Sequence, residues 1–253
     1  MKVHLIYFSP ALSTRKIMRA IGKSMDVPFE ELDVTMGFDE ALSIDEGDLA
    51  VFGVPVYAGR VPKLATEAFH KIKGNNTPAV IVNVYGNRDY DDALLELRNI
   101  CQENGFVPFA AGAFIARHSI FPKVAVNRPD EEDEEMIVGF AKKCYDKYLE
   151  KEEPKPLNVK GNYPYREHGP IPLVPKGNSS CDKCGTCVRL CPVGAISADH
   201  PRKTNKELCI SCARCITVCP QHSRNFRGLV YGAVRRKFES KCAVRKENET
   251  FFS

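Results

Sequence analysis

The sequence has 253 residues, of which 43% are hydrophobic and 27% charged, and its formal net charge is +4. These fractions favour a folded soluble protein. The longest apolar runs fall short of the ~20 residues of a membrane span, and the first residues lack the apolar core of a signal peptide, so we expect a cytoplasmic protein without a membrane span.

Charge is distributed unevenly along the chain. Residues 1–150 hold 17 Lys and Arg against 23 Asp and Glu, whereas residues 151–253 hold 19 against 9. Opposite charges attract, so we expect the two halves to face each other, within one chain or head to tail in a homodimer.

Continuous apolar runs alternate with helical patterns in the first half of the chain. Such runs are typical of parallel strands covered on both faces. Alternation with helices predicts an α/β fold, a doubly wound sheet of about five parallel strands that fills residues 1–150. Strands are expected at residues 2–8, Leu49–Val54 and Ala79–Tyr85, with a weaker apolar run at Phe106–Ile115.

Two later helices carry cysteines on their apolar faces. One is expected to begin at Asp91 as N-cap and to end at Gly105, which places Cys101 in the core. The other follows the acidic run 130–135, whose charges favour the positive end of a helix dipole, and it buries Cys144.

A proline-rich segment over residues 151–178 then predicts an extended, semi-rigid linker and a domain boundary. Its prolines are Pro154, Pro156, Pro164, Pro170, Pro172 and Pro175.

Eight of the 11 cysteines form an internal repeat. The pattern Cys-x-x-Cys-x-x-Cys-x-x-x-Cys-Pro occupies 181–192 and recurs at 209–220. Three cysteines three residues apart can close on three irons of one cubane, and in the cytosol metal ligation is favoured over disulfides. Zinc is the alternative, but its sites favour paired Cys-x-x-Cys knuckles, so iron–sulfur chemistry is the better interpretation.

This repeat resembles the bacterial two-cluster 4Fe-4S ferredoxins over residues 178–224. In that family the fourth ligand of each cluster comes from the other motif. The resemblance implies a small ferredoxin-like α+β domain over 179–224 with two 4Fe-4S clusters, whose negative charge would offset part of the basic excess. The implied ligand sets are Cys181, Cys184, Cys187 and Cys219, and Cys209, Cys212, Cys215 and Cys191.

Three loops in the first half follow predicted strands, at the edge where doubly wound sheets bind ligands. The first is rich in hydroxyls and opens a helix, which suits a phosphate. The other two combine aromatic rings, which can stack on a flat ligand, with glycines that admit backbone contacts; plain turns are the alternative. The candidate binding residues are Ser9, Pro10, Ala11, Leu12, Ser13 and Thr14; Pro55, Val56, Tyr57, Ala58 and Gly59; and Tyr85, Gly86, Asn87, Tyr90 and Asp91.

The arrangement of these loops resembles the flavodoxins, and the whole chain resembles the flavodoxin–ferredoxin fusions among the iron–sulfur flavoproteins of anaerobes. That resemblance implies FMN, with its phosphate at residues 9–14 and its ring between the loops at 55–61 and 85–91. The usual phosphate loop has Gly-Asn where this chain has Leu12-Ser13, so a left-handed turn at residue 12 is expected to be strained.

Clusters pass single electrons and FMN holds one or two, so the combination implies an electron carrier between the clusters, FMN and a partner redox protein. The alternative is an FMN-dependent reductase of a quinone or nitro compound. The sequence shows no constellation of catalytic residues. A third hypothesis, nucleic-acid contact, rests on the basic C-terminal tail at 225–253 with its interleaved aromatic residues, but a solvated helical tail, or one that docks on an acidic partner, is favoured there.

Overall fold

The chain folds around a central sheet that is covered by helices on both faces. The computed structural model describes residues 2–151, 155–169 and 173–253. In chain order its elements are β1 (Val3–Tyr7), α1 (Ser13–Ser24), β2 (Phe29–Asp33), β3 (Leu42–Ile44), β4 (Leu49–Pro55), α2 (Lys63–Phe69), β5 (Ile72–Gly74), β6 (Thr77–Tyr85), α3 (Ala93–Glu103), β7 (Phe106–Ile115), α4 (Glu131–Glu150), β8 (Lys176–Gly177), α5 (Thr186–Arg189), α6 (Arg214–Thr217), β9 (Arg224–Asn225), α7 (Leu229–Lys241) and β10 (Glu249–Phe252).

Five parallel strands confirm the predicted α/β sheet. They lie in the order β2-β1-β4-β6-β7. Counted along the chain as strands of this sheet, the order is 2-1-3-4-5, which is that of the flavodoxin-like fold. The short strands β3 and β5 pair separately. Both faces are covered, which is why β4 and β6 are apolar almost throughout.

Two apolar layers sandwich the sheet. Helices α1 and α4 bury one face, and α2 and α3 bury the other. Cys101 and Cys144 lie in these layers, as predicted. The predicted N-cap Asp91 was wrong by one residue: the carbonyl of Asp92 accepts the first helical bond of α3 from Glu96, at 2.9 Å, while Asp91 is left-handed with φ 44°. No helix in the described ranges combines the length and apolarity needed to cross a bilayer.

A sixth strand, which the sequence did not predict, comes from the end of the chain. Strand β10 pairs antiparallel with β7, and Glu249 lies opposite Ala113. Its two phenylalanines pack on opposite faces of the sheet, Phe251 with the α2/α3 layer and Phe252 with the α1/α4 layer. The segment predicted as a basic tail therefore ends inside the first domain and covers an otherwise open sheet edge.

Residues 157–166 of the linker lie against α3. The Asp92 carboxylate accepts the backbone N–H groups of Asn162 at 2.8 Å and Arg166 at 2.7 Å, and the Tyr165 hydroxyl accepts from Asn99 at 2.6 Å. Pro154, Pro170 and Pro172 lie outside the described residues.

Asn248 fastens the last strand, and its loss should destabilise the fold. Its side chain accepts from the backbone N–H of Ile115 at 2.8 Å and donates to Asp133 at 2.7 Å, and all three groups are buried. For Asn248→Ala we expect a loss of about 1–3 kcal/mol in the free energy of unfolding, because buried polar groups lose their partner. Urea unfolding followed by circular dichroism measures it. Exposed Thr250→Ala is the matched control, and an equal loss in both variants would contradict the assignment.

Candidate redox site

The two cysteine motifs fold into the same backbone twice. The residue before each second cysteine is left-handed, Lys183 with φ 63° and Ser211 with φ 56°. The residue after it is left-handed as well, Gly185 with φ 75° and Ala213 with φ 62°, and each caps a four-residue helix, α5 or α6. Gly185 has no Cβ and adopts this conformation without steric cost, whereas Ala213 carries the smallest side chain that still has a Cβ.

The structure brings the eight motif cysteines together as two groups of four. Each group lines a small cavity and combines three cysteines of one motif with the last cysteine of the other. In the described part of the chain, no three His, Cys, Asp or Glu side chains are close enough to hold a single metal ion. The outer cysteine quartet is Cys181, Cys184, Cys187 and Cys219, and the inner cysteine quartet is Cys191, Cys209, Cys212 and Cys215.

Backbone N–H groups point at the sulfurs of both quartets. Cys191 Sγ accepts from Ala195 at 3.3 Å, and Cys219 Sγ accepts from Ser223 at 3.4 Å. Burial raises the pKa of the Cys212 thiol to about 12 and that of Cys215 to about 11. Such thiols stay protonated at neutral pH unless a metal displaces the proton, so this donor set suits thiolate-bound iron.

A pocket of about 440 Å³ opens at the carboxyl edge of the sheet, in the size range of small-molecule sites. We call it the carboxyl-edge pocket. All three predicted loops contribute to its wall. Twelve of the sixteen candidate flavin residues line it: Ser9, Pro10, Ala11, Ser13, Thr14, Pro55, Val56, Tyr57, Ala58, Gly59, Tyr85 and Gly86.

Four candidates do not line the pocket. The Asn87 amide instead holds two backbone carbonyls of the C-terminal segment, at 3.0 and 2.8 Å. Tyr90 is buried edge-to-face against Tyr85, and Asp91 pairs with Arg88. The fourth, Leu12, shapes the first loop without facing the pocket.

The first loop has the left-handed turn expected at residue 12. Leu12 has φ 66° and ψ −4°, and the turn is closed by its N–H to the Ser9 carbonyl at 3.2 Å. Ser9 Oγ accepts from the N–H of Arg15 at 2.9 Å. Thr14 is buried, and its hydroxyl has no hydrogen-bond partner among the described residues. A helix N-terminus beside an unsatisfied hydroxyl fits a phosphate group.

A fourth loop, 116–121, also lines the pocket and was missed. Its His118 accepts at Nδ1 from the N–H groups of Ile120 at 3.1 Å and Phe121 at 3.2 Å. Burial lowers the pKa of His118 to about 4, so the ring is neutral at pH 7 with its proton on Nε2. A side chain at Gly86 would come within 2.5 Å of this ring. The loop follows β7, the fifth parallel strand of the sheet. The other three loops were predicted because ligands bind at the carboxyl ends of such strands, and the same argument would have predicted this one.

The second domain closes the pocket from the other side. Ile210 and Ser211, both inside the second cysteine motif, line it, as do Val234 and Phe238 of α7. The pocket is thus shared by both domains.

The inner cysteine quartet lies next to the pocket. Tyr57 in the pocket wall has Cys212 and Cys209 as electrostatic neighbours, and after burial they are the causes that raise the pKa of its hydroxyl. The outer quartet reaches the surface at Cys184, which is exposed. The two quartets therefore stand in sequence between solvent and the pocket.

Comparison with known proteins supports the second domain directly. Residues 180–223 match the family model of the 4Fe-4S dicluster domain. No curated protein matches the chain.

Solved structures with some likeness to the chain align with its first part. A flavodoxin from the domain Archaea is 12% identical, with 59% of this chain and 99% of that chain covered and a TM-score of 0.43. The rubredoxin oxygen:oxidoreductase from Desulfovibrio gigas is 15% identical, with 59% and 36% covered and a TM-score of 0.45. A WrbA-like flavodoxin from Agrobacterium tumefaciens is 12% identical, with 60% and 99% covered and a TM-score of 0.42.

The strand order and the family match together define the class of protein. The chain joins a flavodoxin-like domain to a 4Fe-4S dicluster domain, which serves redox electron transfer. This combination fits a flavodoxin–ferredoxin fusion.

The strained turn at residue 12 gives a stability prediction. Glycine adopts a positive φ without steric cost, so we expect Leu12→Gly to raise the free energy of unfolding by about 1 kcal/mol. Leu12→Ala keeps a Cβ and hence the strain, and should give no gain. Urea midpoints of both variants measure the effect. Equal changes in the two variants would show that the turn stores no such strain.

Proposed function

We propose that this protein relays electrons between two 4Fe-4S clusters and FMN and exchanges them with a partner redox protein. The observation that carries the proposal is the shared pocket: the second cysteine motif and three flavodoxin-like loops line one cavity. When bound, the clusters would supply single-electron steps and FMN one- or two-electron steps.

The crossed cysteine quartets support two clusters. Each quartet takes its fourth sulfur from the other motif, the pattern of two-cluster ferredoxins. Zinc requires four ligands that meet at one point, whereas these thiols are arranged around cavities. One cluster would be held by the outer quartet, that is, by the first three cysteines of the first motif and Cys219. The other would be held by the inner quartet, the first three cysteines of the second motif and Cys191.

The carboxyl-edge pocket supports FMN. Its first loop offers the N-terminus of α1 and the unsatisfied Thr14 hydroxyl for a phosphate. The Tyr57 ring and apolar Val56 and Ile210 offer walls for a flat ring system. Neutral His118 adds an N–H donor without adding charge.

The outer quartet is where a partner protein would dock. Arg189 donates to the carbonyl of Cys184 at 3.1 Å, and Arg202 donates to that of Cys181 at 3.2 Å. Both guanidinium groups are exposed, as is Lys183. A basic rim of this kind suits an acidic redox protein, because opposite charges speed encounter.

The aromatic residues of the C-terminal segment favour the relay over nucleic-acid binding. Phe238 stacks on Phe121 with ring centroids 4.4 Å apart, and Phe226 stacks on Tyr231 at 5.9 Å. The Tyr231 hydroxyl donates to the carbonyl of Ile120 at 2.9 Å. Rings engaged in this way are not platforms for bases.

Paired cysteine variants test the ligand sets on anaerobically prepared protein. We expect about eight irons and one FMN per wild-type chain. The double variant Cys191→Ala/Cys212→Ala removes two ligands of one quartet and should keep about four irons. Cys191→Ala/Cys184→Ala damages both quartets and should lose nearly all iron. The reverse order, or zinc in the wild type, would overturn the crossed assignment.

The same samples test electron flow. With a one-electron donor in stopped flow, wild-type FMN should be reduced much faster than FMN in Cys191→Ala/Cys212→Ala, because the site beside the pocket is then lost. Cys242→Ala, a buried thiol outside both quartets, is the control and should match wild type. Equal rates in all three would contradict the relay, and steady turnover of a quinone without a partner protein would favour a reductase.

The Thr14 hydroxyl tests the flavin site. Thr14→Val keeps the shape but removes a hydrogen bond to the phosphate, so we expect the dissociation constant of FMN to rise about tenfold to a hundredfold. The free energy of unfolding should not fall, because the buried hydroxyl has no partner among the described residues. Fluorescence titration with FMN and urea unfolding measure the two quantities. Thr66→Val on α2 is the control, and unchanged FMN affinity in Thr14→Val would argue against the phosphate site.

A further inference from the structure

A single arginine is buried between the two cysteine quartets. Arg224 begins β9 and is only 2% exposed. A guanidinium is charged at every physiological pH, and burial of a charge is costly unless an opposite charge compensates it. The surroundings of Arg224 must therefore supply negative charge.

The hydrogen bonds of Arg224 fix its position without neutralising it. Its guanidinium donates to the carbonyls of Pro175, at 3.1 Å, and Pro201, and to the hydroxyl of Thr204. Within the described ranges none of its contacts is a carboxylate, and Nε has no partner at all. Carbonyl dipoles orient the cation, but the full compensating charge has to come from elsewhere.

Arg224 also interacts with thiols of both quartets. Its Nη1 lies 4.0 Å from the Sγ of Cys187 in the outer quartet. It also interacts electrostatically with Cys215 and Cys209 of the inner quartet. One fixed cation is thus shared by two sites that would each carry net negative charge when loaded.

We propose that Arg224 is the common counter-ion of the two clusters and sets their reduction potentials. This inference rests on the proposed function. When a cluster takes one electron from a one-electron donor, its charge becomes one unit more negative. A fixed positive charge in a dry environment stabilises that reduced form more than the oxidised form, so it raises both potentials.

The arginines at the rim cannot replace Arg224. Arg189 and Arg202 donate to loop carbonyls around the outer quartet, but both are exposed to solvent. Water and salt screen such charges, whereas a buried charge is screened far less. Arg202→Gln is therefore a matched control, a neutralised arginine near one site that should leave the potentials unchanged.

Potentiometric titration of anaerobically loaded full-length protein, followed by EPR of the reduced clusters, tests the proposal. For Arg224→Gln we expect the reduction potential of both clusters to fall by at least about 59 mV. For a one-electron step this is a tenfold lower ratio of reduced to oxidised form at a fixed potential. Arg224→Lys keeps the charge and should stay close to wild type. Arg202→Gln should titrate as wild type does.

The outcomes separate this inference from the proposed function. If wild type holds no clusters, the proposed function itself fails. If Arg224→Gln holds both clusters and their potentials do not change, only the role of Arg224 is refuted. If Arg224→Gln loses clusters that Arg224→Lys retains, the charge is required, which supports the proposal. Equal loss in both variants would assign Arg224 to hydrogen bonding alone and overturn it.

Discussion

The return of the C-terminal segment to the central sheet is the constraint on which the architecture depends. Strand β10 adds to β7, and the linker at the other end of the dicluster domain is held by Asp92. Because both ends of that domain are anchored to one α/β body, its second motif is held at the carboxyl edge of the sheet. For this reason both domains line the pocket, and the second cysteine motif stays beside it without relying on collisions between two flexibly linked domains.

The opposite charges of the two halves act at this junction. Arg245 pairs with Asp130 at 2.6 Å and with Glu132 at 2.8 Å, and Lys246 pairs with Asp89 at 3.1 Å. Exposed pairs of this kind contribute little energy each. Their role is to select one docking of the basic segment on the acidic domain, while the pairing of β10 with β7 and the buried Asn248 hold that segment on the sheet. The acidic run at 130–135 thus serves both as a helix start and as a docking surface for the chain's own end.

The sequence predicts those parts of the molecule that depend on residues close together in the chain. Apolar runs predicted four of the five parallel strands but not β2, whose sequence is mostly acidic, while the spacing of the cysteines indicated the cluster motifs and the departure at Leu12 pointed to a left-handed turn that the structure contains. Strand β10 was missed because Glu249–Phe252 is short and its partner lies more than a hundred residues earlier. Arg224 was missed for the same physical reason: in the sequence it is one more basic residue at the border of the basic tail, and only the fold shows that it is buried beside two quartets.

The buried arginine and the buried thiols constrain each other. Protonated thiols would leave Arg224 as a cation compensated only by carbonyl dipoles and a hydroxyl, whereas thiolates on iron would give it the negative charge that burial demands. In the proposed function, clusters bound at both quartets would supply the negative charge that compensates Arg224. The dicluster domain also supplies Ile210, Ser211 and α7 to the pocket wall, and Ile210 also lines the cavity of the inner cysteine quartet, so one segment of the second motif serves both the quartet and the pocket.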